Sequence, residues 1–313
     1  MKDLTLIIPA KNESDSLPKV LEEIKNYECS VIAVMEPSDI KTINVTKNYN
    51  VKIIYQPSEG YGDAIIEGLS NVKTEFFCIF NADGSFDPKY LKQMMEICKS
   101  NFDFVFASRY ISGGGSDDDT IITKFGNFIF TSIGNIFFSI NISDILYTFL
   151  LGKTVSLKKL NLKSRDFCLC VEIPIKAKKL GMNFIDSASY ERKRIAGIKK
   201  VNELKDGFKI SQTVYSIVEG ENSTTMAKST GLATIELATH FEILKPDIVV
   251  TVADRFETLS TAIASTYMNI RLAHIQGGEV TGSIDESVRH AITKMAHIHF
   301  PSTKRSREFL IKK

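Results

Sequence analysis

The sequence predicts an α/β fold in two successive parts, the first built on a mostly parallel sheet. Short apolar runs alternate with helix-like segments from residue 4 to about residue 110. The texture then changes around residues 211 to 222, "SQTVYSIVEGEN", and a second alternation begins. The chain has 313 residues, enough for one large domain or two modest ones.

The elements follow in order. "LTLIIPA", Leu4 to Ala10, reads as a buried strand, and Asn12 or Ser14 is placed to cap a helix reaching about Tyr27. "SVIAVME" and "VKIIYQ" read as the second and third strands. "GYGDAIIEGLSNV" reads as a Gly-rich turn opening a helix. "EFFCIFNAD" is a fourth strand, a helix follows from about Pro88 to Lys99, and "FDFVFASRY" is a fifth strand. In such sheets ligands collect beyond the carboxyl ends of the strands. Pro9–Glu13, Met35–Ser38, Asn81–Asp87 and Ser108–Gly115 all fall there. After the texture change come the helix "MAKSTGLATIELATHFEIL", the strand "DIVVTVA", the helix "FETLSTAIASTYM", the strand "RLAHIQ" and the helix "IDESVRHAITKMA".

Composition narrows the function classes. Hydrophobic residues make up 43%, charged residues 24%, and the net charge is +2. Lys and Arg are dispersed among acids, which argues against a nucleic-acid partner. The opening "MKDLTLIIPAKNE" does not read as a secretory leader, and the five cysteines form no C-x-x-C pair, so free thiols in a cytoplasmic setting are expected. "FGNFIFTSIGNIFFSINIS", Phe125 to Ser143, is uncharged but carries three Asn residues. A span would bury those amides in hydrocarbon, so a core helix or one lying on a membrane surface is expected.

Several stretches of the first 210 residues resemble family 2 glycosyltransferases of the GT-A fold, near the polyprenyl-phosphate sugar transferases. They are, in order, "IIPAKNE", "QPSEGYGDAIIEGL", "FNADGSFDP", "ASRYISGGG" and "SYERKRIAGIKKVNELKDGFKI". The resemblance implies a nucleotide-sugar donor held by Pro9, Asn12, Glu13, Glu36, Gly62 and Arg109. Arg192, Arg194 and Lys200 would close over the diphosphate, with Gly197 giving the loop its bend. It also implies Mg²⁺ or Mn²⁺ held by Asp83 with Asn81 and Ser85, since hard oxygen ligands suit those ions. Asp144, in "SDILYTFLLG", falls on a motif carboxylate of that family and is a candidate catalytic group. If the acceptor is already a phosphate, it needs little base strength.

The same residues have plainer readings. Asp87 before Pro88 reads as a helix cap. Arg109 could pair with an acid inside the fold, and Arg192 with Arg194 could be a solvated face. The chain also departs from the family pattern. Asn81 stands where the first acid of D-x-D is usual, and its amide oxygen ligates without charge. "MEPS", Met35 to Ser38, stands where an acidic pair is usual, leaving Glu36 to hold a ribose or base.

From about Val218 the chain resembles part of a hydrolysing UDP-N-acetylglucosamine 2-epimerase. The carriers are "EGENSTTMAKSTGL", "LKPDIVVTVADRFETLSTAIA" and "AHIQGGEVTGSIDESVRHAITKMAHIHFPST". The resemblance puts Asp254 and Glu286 on catalytic positions and Arg289 on a substrate-contacting one. The bland alternatives are a strand-end cap at Asp254 and an exposed helical pair of Glu286 with Arg289. His290, His297 and His299 have no accompanying Cys and do not read as a zinc site. Fewer than a hundred residues of this unit are expected, short of two Rossmann-like domains, so independent epimerase activity is not. Exposed sheet edges and apolar faces are expected, and with them self-association or pairing with an epimerase.

The expected organisation is a GT-A domain over 1–213, a junction over 214–220 and a partial Rossmann-like (GT-B type) unit over 221–313. The expected activity is transfer of a sugar from a nucleotide donor to a lipid phosphate, such as polyprenyl phosphate at a membrane surface, or to a surface glycan. An epimerase-related activity and a degenerate, non-catalytic sugar-nucleotide binder are the alternatives.

Overall fold

A computed structural model of the chain describes residues 1–196, 213–220, 222–279 and 284–312. The chain divides into two compact units, Met1–Lys209 and Ile210–Lys313.

The first unit is built on β1 (Leu4–Ala10), β2 (Ser30–Met35), β3 (Lys52–Tyr55), β4 (Phe76–Ile79), β5 (Phe104–Ser108), β7 (Leu150–Lys153) and β8 (Phe184–Ala188). They form one sheet in the order β3-β2-β1-β4-β7-β5-β8. All neighbours are parallel except β7, which runs against both β4 and β5. A short strand β6 (Gly115–Ser116) pairs separately with β9 (Tyr190–Glu191).

Helices cover both faces. The first face carries α1 (Leu17–Ile24), α2 (Ile40–Thr46) and α4 (Tyr90–Lys99), packed on Leu4, Leu6 and Ile8 of β1. The second carries α3 (Tyr61–Ser70), α5 (Ile121–Phe138) and α7 (Leu169–Lys179), with α6 (Thr154–Lys159) following β7. A strand buried on both sides reads as a continuous apolar run, which is why "LTLII" lacks alternation.

Two local readings differ from the sequence. Helix α1 begins at Leu17, with Ser16 as its first flanking residue and Pro18 in the first turn. Neither Asn12 nor Ser14 caps it. Asn12 takes a positive φ of 55°, and its N–H donates to Asp39 Oδ2 at 2.6 Å. Asp87 does meet the start of α4, accepting the Lys89 N–H at 3.0 Å.

Residues 109–149 leave the carboxyl end of β5 and return into β7, its antiparallel neighbour. This excursion contains α5, whose Asn127 and Thr131 face the interior. Outward, Phe128 and Ile136 are 66% and 53% exposed. No helix among the described residues is long and apolar enough to cross a membrane.

The second unit has a three-stranded parallel sheet of β10 (Ile248–Val252), β11 (Arg271–Ile275) and β12 (Ile298–Phe300), in that order. Its helices are α8 (Ser223–Leu244), α9 (Phe256–Tyr267), α10 (Ile284–Met295) and α11 (Lys304–Ile311). Val249, Leu272, Ala262 and Ile292 form a small core. Val250 and Val252, on the opposite side of β10 from Val249, are about half exposed, as is much of Ile235 and Ile243 on α8.

Candidate functional site

A cleft of about 410 Å³ opens at the carboxyl ends of the parallel strands in the first unit. Topology accounts for its place, because the loops after β1, β2, β4 and β5 all emerge there. Of the residues the sequence singled out, Pro9, Glu13, Glu36, Asn81, Asp83, Ser85, Arg109 and Arg194 line it.

At one end Lys11 Nζ pairs with Glu36 at 2.6 Å, and the hydrogen bond to Glu36 raises the ammonium's pKa. Glu13 is buried and accepts from Ser16 Oγ at 2.5 Å. Asn12 is not among the lining residues, and its side chain is exposed. Gly62 does not line the cleft either. A Cβ there would lie 2.3 Å from Ser164 O and 2.6 Å from Asp166 O. Gly62 therefore lets the 164–166 loop lie on the first turn of α3, where Asp63 pairs with Arg165. That loop brings Asp166 and Phe167 to the cleft wall.

The centre of the cleft is the turn after β4. Asp83 Oδ1 accepts from Ser85 N–H at 2.9 Å and from Ser85 Oγ–H at 2.6 Å. Asn81 Nδ2 reaches Ser85 Oγ at 3.4 Å. Gly84 has φ +80°, which the reversal of this turn requires. Phe86 anchors the turn: it is 1% exposed, stacks on Phe149 with ring centres 4.6 Å apart, and meets Tyr147 at 5.0 Å. The backbone of the basic segment runs alongside, with Arg192 N–H donating to Ser85 O at 2.9 Å and Ile195 N–H to Asp83 O at 2.8 Å.

The basic side chains divide. Arg194 faces the cleft, donating to Asp118 Oδ2 at 2.7 Å and standing 3.9 Å from Asp83 Oδ2. Arg192 points elsewhere, a correction to its expected place over a diphosphate. It is held by Glu23 at 2.7 and 2.9 Å and by Phe86 O at 2.8 Å. Lys200 and Gly197 lie outside the described residues.

Asp144 stands behind the cleft rather than in it. It is 1% exposed and accepts from Arg109 Nε at 2.8 Å, Arg109 Nη2 at 3.0 Å and Asn127 Nδ2 at 2.8 Å. Glu191 takes Arg109 Nη1 at 3.0 Å and Ser116 Oγ–H at 2.6 Å. The guanidinium also lies over the Tyr147 ring, 4.6 Å from its centre. Arg109 is thus both a structural ion-pair partner and part of the cleft surface. Asp118, Glu191 and Tyr147 were missed by the sequence reading. The run "DDD", Asp117 to Asp119, was visible beside the glycines, but nothing in it said which acid faces inward.

In the second unit Asp254 follows β10, and Arg289 on α10 is buried and pairs with it. Arg289 also donates to Glu279 O at 2.7 Å. Glu286 instead pairs with His290 at 3.4 Å on the same helix. His274 is buried behind them, and burial holds its pKa below the usual histidine range.

Comparison with known proteins assigns each unit separately. Residues 5–160 match the model of "Glycosyl transferase family 2", and residues 196–313 that of "UDP-N-acetylglucosamine 2-epimerase". The two parts of the chain thus resemble, in succession, parts of these two families. On the glycosyltransferase side it is 28% identical over 120 residues to a dolichol-phosphate mannosyltransferase of Pyrococcus furiosus, covering 36% of this chain and 34% of that protein. On the epimerase side it is 43% identical over 101 residues to a GDP/UDP-N,N'-diacetylbacillosamine 2-epimerase (hydrolyzing) of Campylobacter jejuni, covering 32% of this chain and 26% of that protein. The chain thus spans about a quarter to a third of the length of these curated relatives. Glucosyl-3-phosphoglycerate synthase of Mycobacterium tuberculosis, crystallised with Mn²⁺, UDP-glucose and phosphoglyceric acid, shares the fold. The TM-score is 0.52 at 11% identity, over 64% of this chain and 74% of that one. The part that matches the glycosyltransferase model carries the cleft, and the part that matches the epimerase model carries the Asp254–Arg289 pair.

Proposed function

We propose that the first unit transfers a sugar from a nucleotide-sugar donor, with Mg²⁺ or Mn²⁺, to a lipid phosphate or a growing surface glycan. The observation that carries this reading is the convergence of Glu36, Asn81, Asp83, Ser85, Arg109 and Arg194 on one cleft. The cleft suits a divalent cation. Its described lining holds six carboxylates (Glu13, Glu36, Asp83, Asp118, Asp166, Glu191) against three cationic side chains (Lys11, Arg109, Arg194). A diphosphate entering alone would meet a field of its own sign, so it needs a cation with it. Asp83 and the Asn81 amide would hold that ion, whose chemistry when bound is to stabilise charge on the departing nucleoside diphosphate. Arg109, fixed from behind by Asp144 and paired with Glu191, adds a preorganised guanidinium to the cleft wall. Asp144 acts as a positioning residue, having no surface in the cleft.

Isothermal titration of the whole chain with UDP and GDP, with and without Mn²⁺, tests the reading. One nucleotide is expected to bind only with Mn²⁺ and to lose that binding in Asp83→Ala. Binding of neither nucleotide to folded protein would leave the reading without support and favour the degenerate, non-catalytic alternative.

The outward row on α5, with Phe128 and Ile136, supports a peripheral seat on a membrane that presents a lipid-phosphate acceptor. A second activity, hydrolytic epimerisation, would have to rest on the Asp254–Arg289 pair at a strand end, in a unit that spans about a quarter of its relative's length. Incubation with UDP-N-acetylglucosamine and assay for released N-acetylmannosamine tests it, and no release is expected from this unit alone.

A further inference from the structure

The metal-dependent reading leaves one thing unexplained. The turn after β4 offers a single charged ligand, because Asn81 is neutral and one oxygen of Asp83 is already taken by Ser85. Among the described residues no three His, Cys, Asp or Glu side chains gather as a metal group. Mg²⁺-type sites manage with one or two carboxylates plus the phosphates of the substrate. The question is where a second carboxylate would come from.

Asp118 is the candidate. It lies in the 109–149 excursion, far in sequence from Asp83, yet both line the cleft. Its orientation is determined by its neighbours. Asp117 accepts from Tyr190 Oη–H at 2.7 Å, and Asp119 accepts from Tyr110 Oη–H at 2.5 Å. Ser116 Oγ receives the N–H groups of Asp118 and Asp119 at 3.1 and 3.0 Å, and Ser116 itself is held in the β6–β9 ladder. Of the three consecutive aspartates only Asp118 lines the cleft.

A cation from the chain itself already stands between the two acids. Arg194 places Nη2 2.7 Å from Asp118 Oδ2 and Nη1 3.9 Å from Asp83 Oδ2. Its backbone is fastened by the Ile195 N–H to Asp83 O bond next to it. The guanidinium neutralises two acids that would otherwise repel each other.

We propose that Asp118 supplies the second carboxylate for the divalent cation, in place of the acid Asn81 does not provide. Arg194 holds the position between Asp83 and Asp118 until that cation arrives, and is then released to pair with the diphosphate. This inference rests on the metal-dependent transferase reading. It makes metal and nucleotide binding one coupled event: the ion displaces the arginine, and the displaced arginine binds the anion.

Mn²⁺ binding to the whole chain without nucleotide, followed by the electron paramagnetic resonance of the free ion, tests the exchange. Arg194→Met is expected to tighten Mn²⁺ binding, and Asp118→Asn to weaken it, each by about tenfold or more. In the Arg194→Met background, Asp118→Asn is expected still to weaken it. If that loss disappears in the double variant, Asp118 only positions Arg194 and the ligand role is overturned. Asp15→Asn, at an exposed residue outside the cleft lining, is expected to leave Mn²⁺ affinity unchanged, and circular dichroism melts check that each variant is folded. Mn²⁺-dependent UDP or GDP binding that ignores Asp118→Asn overturns the inference while leaving the transferase reading standing. No binding of Mn²⁺ or nucleotide to any folded form overturns both.

Discussion

At the scale of the residue, Arg109 and Asp144 show how a buried charge becomes useful. Asp144 is fully enclosed and engages the arginine through both oxygens. Removing one member leaves the other charged, buried and short of partners. Asp144→Ala is therefore expected to lower the stability of the first unit by about 3–5 kcal/mol, read by urea denaturation. The triple change Arg109→Met, Asp144→Leu and Glu191→Gln is expected to cost clearly less than that single change, since both carboxylates that pair with Arg109 are then replaced along with it. Sequence alone showed both residues, but it could not show that one stands in front of the other. That order depends on α5, whose Asn127 donates to the same carboxylate.

At the scale of the element, the loops after the strands and the mostly parallel sheet were legible, and the one reversed strand was not. Alternating apolar runs located β1 to β5 because parallel strands buried on both faces have few polar residues. The four residues of β7, "LLGK", carry no mark of direction, and only pairing with β4 and β5 shows that they run backwards. The Gly-rich turn was read as touching substrate, whereas its second glycine admits a neighbouring loop. Gly62→Ala would press a methyl against two backbone carbonyls. It is expected to cost about 1–3 kcal/mol, measured as a lower thermal midpoint, and to weaken nucleotide binding as Asp166 and Phe167 shift. Helix α5 is read on both sides, polar contacts inward and apolar residues outward. Phe128→Glu with Ile136→Glu is expected to abolish co-sedimentation with anionic vesicles without changing the circular dichroism spectrum. Equal sedimentation of the two forms would remove the membrane proposal.

At the scale of the whole molecule, the two units differ in how completely they cover themselves. The first encloses a seven-stranded sheet between helices. The second leaves Val250 and Val252 of β10 and Ile235 and Ile243 of α8 open to solvent. Exposed apolar side chains of this kind promote association where they gather into a patch. Analytical ultracentrifugation is expected to show concentration-dependent self-association, reduced by Val250→Lys with Ile235→Lys. Unchanged sedimentation would mean that these residues do not carry it. The 109–149 excursion has a different consequence. It departs from β5 and rejoins the sheet at the adjacent β7, and it brings Arg109, Asp118 and Asp144 with it, while Pro9, Glu36 and Asp83 stay on the remaining framework. Its two ends are fixed neighbours, so a segment of another length or chemistry can be spliced between them without moving a strand. That half of the cleft is in that sense an exchangeable cassette: replacing it would change the charges that face Asp83 while leaving in place the strands that hold Pro9, Glu36 and Asp83.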